Sequence, residues 1–383
     1  MLIALAGPPA SGKRTVAQYL INAYGFQPVF LASDNDSAKT LEKGAPQTPF
    51  RFSTAIDLVH YVTSHWSKDF VLVSIENVSD WEPLSKRPFC LLVAVDAPLS
   101  VRFTRFRNGQ SEREGEYQDS FAEFVETDES ILYGTPPRSQ TLETPIIDTN
   151  GMVSNGVESP AATPSPSPTP PTPPSPADRH SSLYFLMQRA DTRIFNPYPR
   201  FDDLYTVLRI SRLTDQERLR PSWDSYFMQL CNLAARRSNC MKRRVGCILV
   251  KERRIIATGY NGTPRGVRNC TDGGCPRCND NAPCGSGLDV CLCLHAEENA
   301  LLEAGRERVD RGGDTILYCN TCPCLGCAKK IVQVGVKEVV YSLAYGMDDM
   351  TARLLMEAGI KLRQHLPLDS DIDRLLLAAD VPK

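Results

Sequence analysis

The chain has 383 residues, enough for two hydrophobic cores, and its 43 basic and 45 acidic side chains leave a formal charge of −2. A near-neutral balance provides no global field for a polyanion, and no apolar run reaches the 18 or more residues of a membrane-spanning helix, so neither nucleic acid nor membrane is an expected partner. The apolar opening Met1–Gly7 is short and lacks a basic region before it, so a secretory leader is not expected.

In chain order, LIALAG (Leu2 to Gly7) reads as a buried strand running into a glycine. It leads into GPPASGKRT (Gly7 to Thr15), which fits G-x-x-x-x-G-K and then departs: Arg14 stands where a magnesium-binding hydroxyl is expected, and Thr15 comes one step late. Backbone N–H groups of a glycine loop that opens a helix can cradle phosphate. Gly7, Gly12, Lys13 and Thr15 are therefore candidate phosphate-binding residues, with ATP and Mg²⁺ as the ligand the pattern suggests. A helix is expected over Arg14 to Gly25, and strands at Phe70 to Glu76, Phe89 to Pro98 and Thr144 to Asn150. Strands alternating with helices predict a parallel sheet for residues 1–150. VAVDAPLSVRFTRFR (Val93 to Arg107) resembles the later strand and helix of small-molecule P-loop kinases, which implies Arg102, Arg105 and Arg107 as phosphate contacts and Glu76 as a second acidic residue. Phosphoryl transfer, phosphate binding without transfer, and a nucleotide-sensing module without catalysis all remain open here.

Residues 151–182 hold nine prolines between Pro160 and Pro176. Proline fixes φ and removes a backbone donor, so this stretch reads as a disordered, extended linker. Residues 183–221 read as a connecting segment, and a second domain spans 222–383. There an amphipathic helix is expected at Ser222 to Asn239, with Trp223, Tyr226, Phe227, Leu230 and Leu233 on its buried face. A hairpin follows around Lys251 and Glu252, then a cysteine-rich loop from Asn269 to Cys293. Helices from His295 and Cys324 alternate with strands TILYC, EVVYS and IKLRQ, again an α/β pattern.

Of 14 cysteines, only Cys90 precedes Cys231. In a large chain with no expected leader, such crowding suggests metal thiolates more than disulfides. His295-Ala296-Glu297 and Pro323-Cys324-Leu325-Gly326-Cys327 together form H-x-E…P-C-x-x-C, the signature of zinc nucleobase deaminases. His295, Cys324 and Cys327 supply three ligands and leave a position open, as a catalytic zinc requires. Each ligand group opens a helix, whose N-terminus favours thiolate. Glu297 falls in the same first turn as His295 and suits a general acid and base. A structural zinc completed by Cys319 or Cys322 is the competing reading.

Residues from about Trp223 to Gln364 resemble the deoxycytidylate (dCMP) deaminase family, and its fungal members closely. The resemblance is carried by NCMKRRVGCILV, IIATGYNGTPRG, CLHAEENALLEAG and TILYCNTCPCLGCAKKIVQVGVKEVVYS. It implies a cytidine-deaminase-like α/β/α sandwich and hydrolysis of dCMP to dUMP and ammonia. In that reaction zinc-activated water attacks C4 of the ring and Glu297 protonates N3. It further implies a homo-oligomer, activation by dCTP and inhibition by dTTP. Asn261 and Gly262 of the GYNGTP loop would face substrate or effector, and Tyr345 the substrate phosphate. Arg236, Arg237, Lys242, Arg243 and Arg244 are either phosphate contacts or a solvated helix end. Deaminases of cytosine or adenosine in nucleic acid share the zinc signature, but near-neutral charge and the GYNGTP loop argue against them. Cys275-Pro-Arg-Cys278 has half-site spacing, so a second, structural zinc is expected, drawn from Cys270, Cys275, Cys278, Cys291 and Cys293, with Cys240 and Cys247 further candidates, although Cys247 in an apolar strand reads rather as core. Some family members carry such a zinc. The expected location is cytoplasmic or nuclear.

Overall fold

The computed structural model describes residues 1–32, 50–111, 120–134, 182–283, 286–310, 314–344 and 349–368. The chain forms two compact units, Met1–Leu213 and Thr214–Lys383.

The first unit is built on an all-parallel six-stranded sheet in the order β3-β2-β4-β1-β5-β6. Its strands are β1 (Leu2–Ala6), β2 (Gln27–Leu31), β3 (Phe50–Phe52), β4 (Phe70–Leu72), β5 (Cys90–Asp96) and β6 (Thr192–Phe195). Strand β1 is buried along its whole length, as an interior strand covered on both faces must be. Helix α1 (Lys13–Tyr24) follows β1 through the glycine loop, and Gly25 ends it in the left-handed region with its N–H on Ile21 O and Leu20 O. Helices α2 (Ala55–Ser64), α3 (Val78–Ser85), α4 (Leu99–Ser111) and α5 (Phe121–Tyr133) follow among the described residues before the proline-rich stretch.

The expected boundaries need correction. Residues beyond the prolines return to the first unit: α6 (Leu183–Gln188) buries Leu183 and Leu186 in the core formed by Leu2, Phe70, Leu72 and Leu92. Strand β6 then pairs in parallel with β5, Val93 opposite Thr192. Helix α7 (Phe201–Ser211) ends this unit. The segment 183–221 is thus mostly not a connector, and the first unit is not confined to 1–150. The proline-rich stretch interrupts one unit in sequence instead of separating two. The expected strand at Thr144 to Asn150 and the linker through residue 181 lie outside the described residues.

The second unit has a five-stranded sheet, β11-β10-β9-β7-β8. Strands β7 (Gly246–Lys251) and β8 (Arg254–Tyr260) form the expected hairpin. Its turn residues Glu252 and Arg253 both have positive φ, 49° and 61°, the conformation that matches the sheet's twist. Strands β9 (Thr315–Thr321), β10 (Glu338–Leu343) and β11 (Lys361–Gln364) run parallel to one another. Side chains alternate across the sheet. Cys247, Leu249, Leu317, Cys319 and Val339 pack under α10 (Ala296–Asp310), α11 (Leu325–Val334) and α12 (Asp349–Glu357). One residue out of phase, Ile248, Val250, Tyr318 and Val340 pack under α8 (Trp223–Ala235). This is the expected α/β/α sandwich.

The buried face of α8 differs from the expected one. Phe227, Met228, Cys231 and Ala235 point inward, while Trp223 and Leu233 are 46% and 58% exposed. Close approach decides it: a Cβ on Gly246 would lie 2.0 Å from Cys231 O, so the Cys231–Ala235 side of the helix rests on the β7 backbone. Trp223 lies outside this contact and stacks on the buried Phe227 at 5.7 Å between ring centroids.

Candidate metal centre and active site

Two helix starts converge in the second unit, one after the bridge residue Leu294 and one after strand β9. His295 precedes α10 and its carbonyl accepts from Asn299 N at 2.9 Å; Cys324 caps α11 and its carbonyl accepts from Ala328 N at 2.9 Å. His295 Nδ1 lies 3.4 Å from Cys324 Sγ and 3.3 Å from Cys327 Sγ. The donor atoms of the three residues lie within 4.8 Å of one another, and neither Cys319 nor Cys322 belongs to the group. Two soft thiols and one imidazole at such spacing are the donor set of a catalytic zinc, with a fourth corner not filled by a described side chain. Cys322 is held away by its N–H, which donates to Leu343 O at 2.9 Å, and Cys319 is fully buried opposite Cys247.

The electrostatics suit a cation. The hydrogen bond from Cys327, with a further contribution from His295 and against the effect of burial, pulls the Cys324 thiol down to about 3. Cys327 is correspondingly pushed up by that same hydrogen bond and by burial. Contact with Cys324 raises the His295 imidazole above its ordinary value.

Glu297 is only 4% exposed, in the first turn of α10. Burial pushes its carboxyl above the usual carboxylate range, against the pull of His295 and Cys327. A raised carboxyl holds a proton more readily than an exposed one, the direction that suits a group that takes and then gives a proton. Its helix is fixed by a close approach: a Cβ on Gly259 would sit 2.1 Å from Ala296 O and 2.5 Å from Ala300 N. Lys330 Nζ on α11 donates to Glu298 Oε1 on α10 at 2.6 Å, tying together the two helices that carry the ligands.

The GYNGTP loop braces this centre. Gly262 and Leu294, the residue before His295, exchange backbone hydrogen bonds of 3.2 and 2.8 Å. Asn261 is buried; its Oδ1 accepts from Val245 N and Ser238 Oγ, and its Nδ2 donates to Arg243 O at 2.8 Å. Three of the amide's four hydrogen-bonding positions are thereby used, leaving one N–H for a ligand. The basic run around Lys242 and Arg243 rides on the segment these bonds hold; Lys242 itself bonds Asn281. Tyr345 lies outside the described residues. Cys270, Cys275, Cys278, Cys291 and Cys293 come together as expected, joined by Cys240 from the turn after α8.

In the first unit the glycine loop sits at the C-terminal end of β1, where the chain turns one way to β2 while neighbouring β5 leads the other way to β6. Gly12 has φ 106°. Lys13 Nζ bonds back to the Gly7 carbonyl and, at 3.1 Å, to Pro8 O. Arg105, one of the expected phosphate contacts, instead donates to Tyr198 O at 2.7 Å and Asn196 O at 3.2 Å, and reaches Ala10 O at 3.3 Å. Arg102 is buried in an ion pair with Asp128, with Nη2 to Oδ2 at 2.8 Å, so it is structural here. Arg107 and Glu76 are exposed, and Thr15 is half-buried.

Residues 221–343 match the model of the cytidine and deoxycytidylate deaminase zinc-binding region. The chain is 42% identical over 371 residues to a deoxycytidylate deaminase of Schizosaccharomyces pombe, covering 97% of this chain and 99% of that one. It is 42% identical over 315 residues to a deoxycytidylate deaminase of Saccharomyces cerevisiae, covering 80% and 85%. A deoxycytidylate deaminase of Mycobacterium phage D29 matches at 43% over 127 residues, 32% of this chain and 95% of its own. The phage protein is matched over a segment about as long as the zinc-binding region, while the Schizosaccharomyces relative is matched through both units. On this evidence the chain belongs to the cytidine and deoxycytidylate deaminase family.

Proposed function

We propose that the second unit catalyses hydrolytic deamination of dCMP to dUMP and ammonia. The observation that carries this reading is the group His295, Cys324 and Cys327 beside buried Glu297, in a chain 42% identical along nearly its whole length to a deoxycytidylate deaminase. Zinc held by the three ligands supplies Lewis acidity and lowers the pKa of a coordinated water. Glu297 takes a proton from the attacking water, delivers it to N3 of the cytosine ring, and carries a second proton to the departing amino group. The helix N-termini behind His295 and Cys324 hold these groups in fixed orientation. The remaining Asn261 N–H donates to the sugar, and Tyr345 with the basic run around Lys242 and Arg243 engages the 5′-phosphate.

The test is ammonia release from dCMP, deoxycytidine and a cytosine-containing oligonucleotide in parallel. Turnover of dCMP well above the others is expected. Turnover of the oligonucleotide alone would overturn the substrate in favour of a nucleic-acid deaminase.

Regulation belongs to the same reading. dCTP activates and dTTP inhibits a homo-oligomer, and the exposed Trp223, Tyr226 and Leu233 on α8 offer apolar surface for self-association. The first unit binds a nucleotide phosphate at Gly7, Gly12, Lys13 and Thr15, with ATP and Mg²⁺ the candidate ligand. Its support is the loop's position at the diverging strand connections and the Ser11 hydroxyl, buried and without a hydrogen-bond partner among the described residues. Binding requires Lys13 to leave the loop carbonyls. A second, structural zinc occupies the cysteine-rich insertion. Its thiolates need a reducing compartment, which supports cytoplasm or nucleus as the site of action.

A further inference from the structure

The cysteine-rich insertion holds more sulfur than one zinc can use. Two groups of four cysteines each have all their sulfurs within 4.8 Å of one another: Cys240, Cys270, Cys278 and Cys293, and Cys275, Cys278, Cys291 and Cys293. They share Cys278 and Cys293, so six sulfurs form two tetrads with a common edge. A tetrahedral site with Zn–S bonds of about 2.3 Å has sulfurs roughly 3.8 Å apart. Cys278 Sγ and Cys291 Sγ are 3.8 Å apart, and Cys275 Sγ and Cys291 Sγ 3.9 Å.

We propose that this insertion binds two zinc ions as one hexathiolate cluster, with Cys278 and Cys293 bridging, Cys240 and Cys270 terminal on one ion, and Cys275 and Cys291 terminal on the other. This deepens the single structural zinc proposed above and rests on the same insertion. Two dications and six thiolates leave the cluster anionic, so it needs donors around it. The surroundings supply them. Arg277 Nη1 lies 4.0 Å from both Cys278 Sγ and Cys291 Sγ. Backbone N–H groups of Met241 and Leu292 point at Cys270 Sγ and Cys275 Sγ, each at 3.4 Å. Asn279 Nδ2 approaches Cys270 Sγ at 3.9 Å. Cys275, Cys270 and Cys278 are buried, so exchange with solvent thiols is hindered. A cluster sharing two thiolates is a known solution to holding two zinc ions with six cysteines.

The arrangement also has a consequence for the active site. Cys240 belongs to the same short segment as Ser238, whose hydroxyl contacts Asn261, and Asn239, whose Oδ1 accepts from Thr263 N at 3.2 Å. A metal gripping Cys240 therefore fixes the segment that braces the GYNGTP loop.

The experiment is metal analysis of the full chain, purified reduced, together with ¹¹³Cd NMR after cadmium exchange. Three zinc ions per chain are expected, and two ¹¹³Cd resonances in the tetrathiolate region that are scalar-coupled to each other, beside an uncoupled one from the mixed Cys/His site. Two zinc ions per chain, or tetrathiolate resonances without coupling, would overturn the bridged cluster while leaving a single structural zinc. One ion per chain would overturn both. Cys240→Ser is expected to remove one ion and abolish the coupling while the mixed-site resonance persists. If that variant fails to fold, the wild-type count and coupling still decide.

Discussion

The catalytic centre and the glycine loop are built on the same device, a strand that ends in a loop opening a helix, yet they present opposite faces to a ligand. At the metal centre the donors already converge: His295 Nδ1 lies 3.3–3.4 Å from two sulfurs, and Glu297 is buried next to them. In the glycine loop the cations bond inward, with Lys13 on the carbonyls of Gly7 and Pro8 and Arg105 on those of Asn196 and Tyr198. The donors of the first site are already placed to grip a metal. The proposed phosphate site would have to break its own hydrogen bonds to take a ligand, which would weaken binding by the free energy of that opening.

The contrast can be broken most severely at Glu297. Glu297→Gln is expected to retain zinc and lower kcat for dCMP by about 10²–10⁴-fold or more, as loss of a proton carrier does. Zinc analysis beside steady-state kinetics checks it, and unchanged turnover would remove the proton-transfer role. Next is the support of the centre. In Gly259→Ala the new methyl meets Ala296 O and Ala300 N at 2.1 and 2.5 Å, so α10 must shift and take Glu297 with it. A loss of about 1–3 kcal/mol is expected, read as a lower Tm, together with reduced turnover.

A smaller effect is expected at the Asp224–Arg363 pair, which joins the first turn of α8 to β11. Arg363 contacts both carboxylate oxygens, at 2.7 and 2.8 Å, and Tyr318 donates to Oδ1 at 2.7 Å. Burial alone would raise the Asp224 carboxyl, but these bonds and the guanidinium charge hold it below its ordinary value. A depressed carboxylate stabilises the fold above its unfolded pKa, about 3.9, and that contribution disappears as pH falls through the folded value. Asp224→Asn should therefore cost about 1 kcal/mol at neutral pH and progressively less below pH of about 4, measured by denaturant unfolding. Smallest of all, Lys13→Ala should leave dCMP turnover within about twofold and abolish nucleotide binding by the intact chain. A large fall in turnover would show that the glycine loop and the metal centre are coupled.

Much of the metal centre was legible because its chemistry is local. His295 and Glu297 share a helical turn and Cys324 and Cys327 another; the second turn follows the apolar strand β9, and both motifs are contiguous in sequence. What escaped depended on packing. The buried side of α8 was misread because Trp223 and Leu233 are more apolar than Cys231 and Ala235, yet only small residues tolerate the contact with Gly246. The limits of the first unit were misread because prolines mark a break in backbone pairing, not where the chain goes afterwards; Leu183, Leu186 and Ile194 were the signal for its return. Arg102 resembled a phosphate ligand because Asp128, its partner 26 residues on, is invisible to local pattern. Cys240 was set apart from the insertion for a similar reason: it is 30 residues from Cys270 in sequence and adjacent to it in space.

The central claim is that three side chains grip one metal and leave a corner open beside a carboxylate. A crystal structure of the zinc-loaded protein with dCMP, with anomalous data collected at the zinc edge, tests it most directly. The account predicts an anomalous peak bonded to His295 Nδ1, Cys324 Sγ and Cys327 Sγ, a solvent or substrate oxygen at the fourth position, and the Glu297 carboxyl within hydrogen-bond reach of that oxygen. A fourth protein ligand in that corner, or Glu297 turned away from it, would contradict the account.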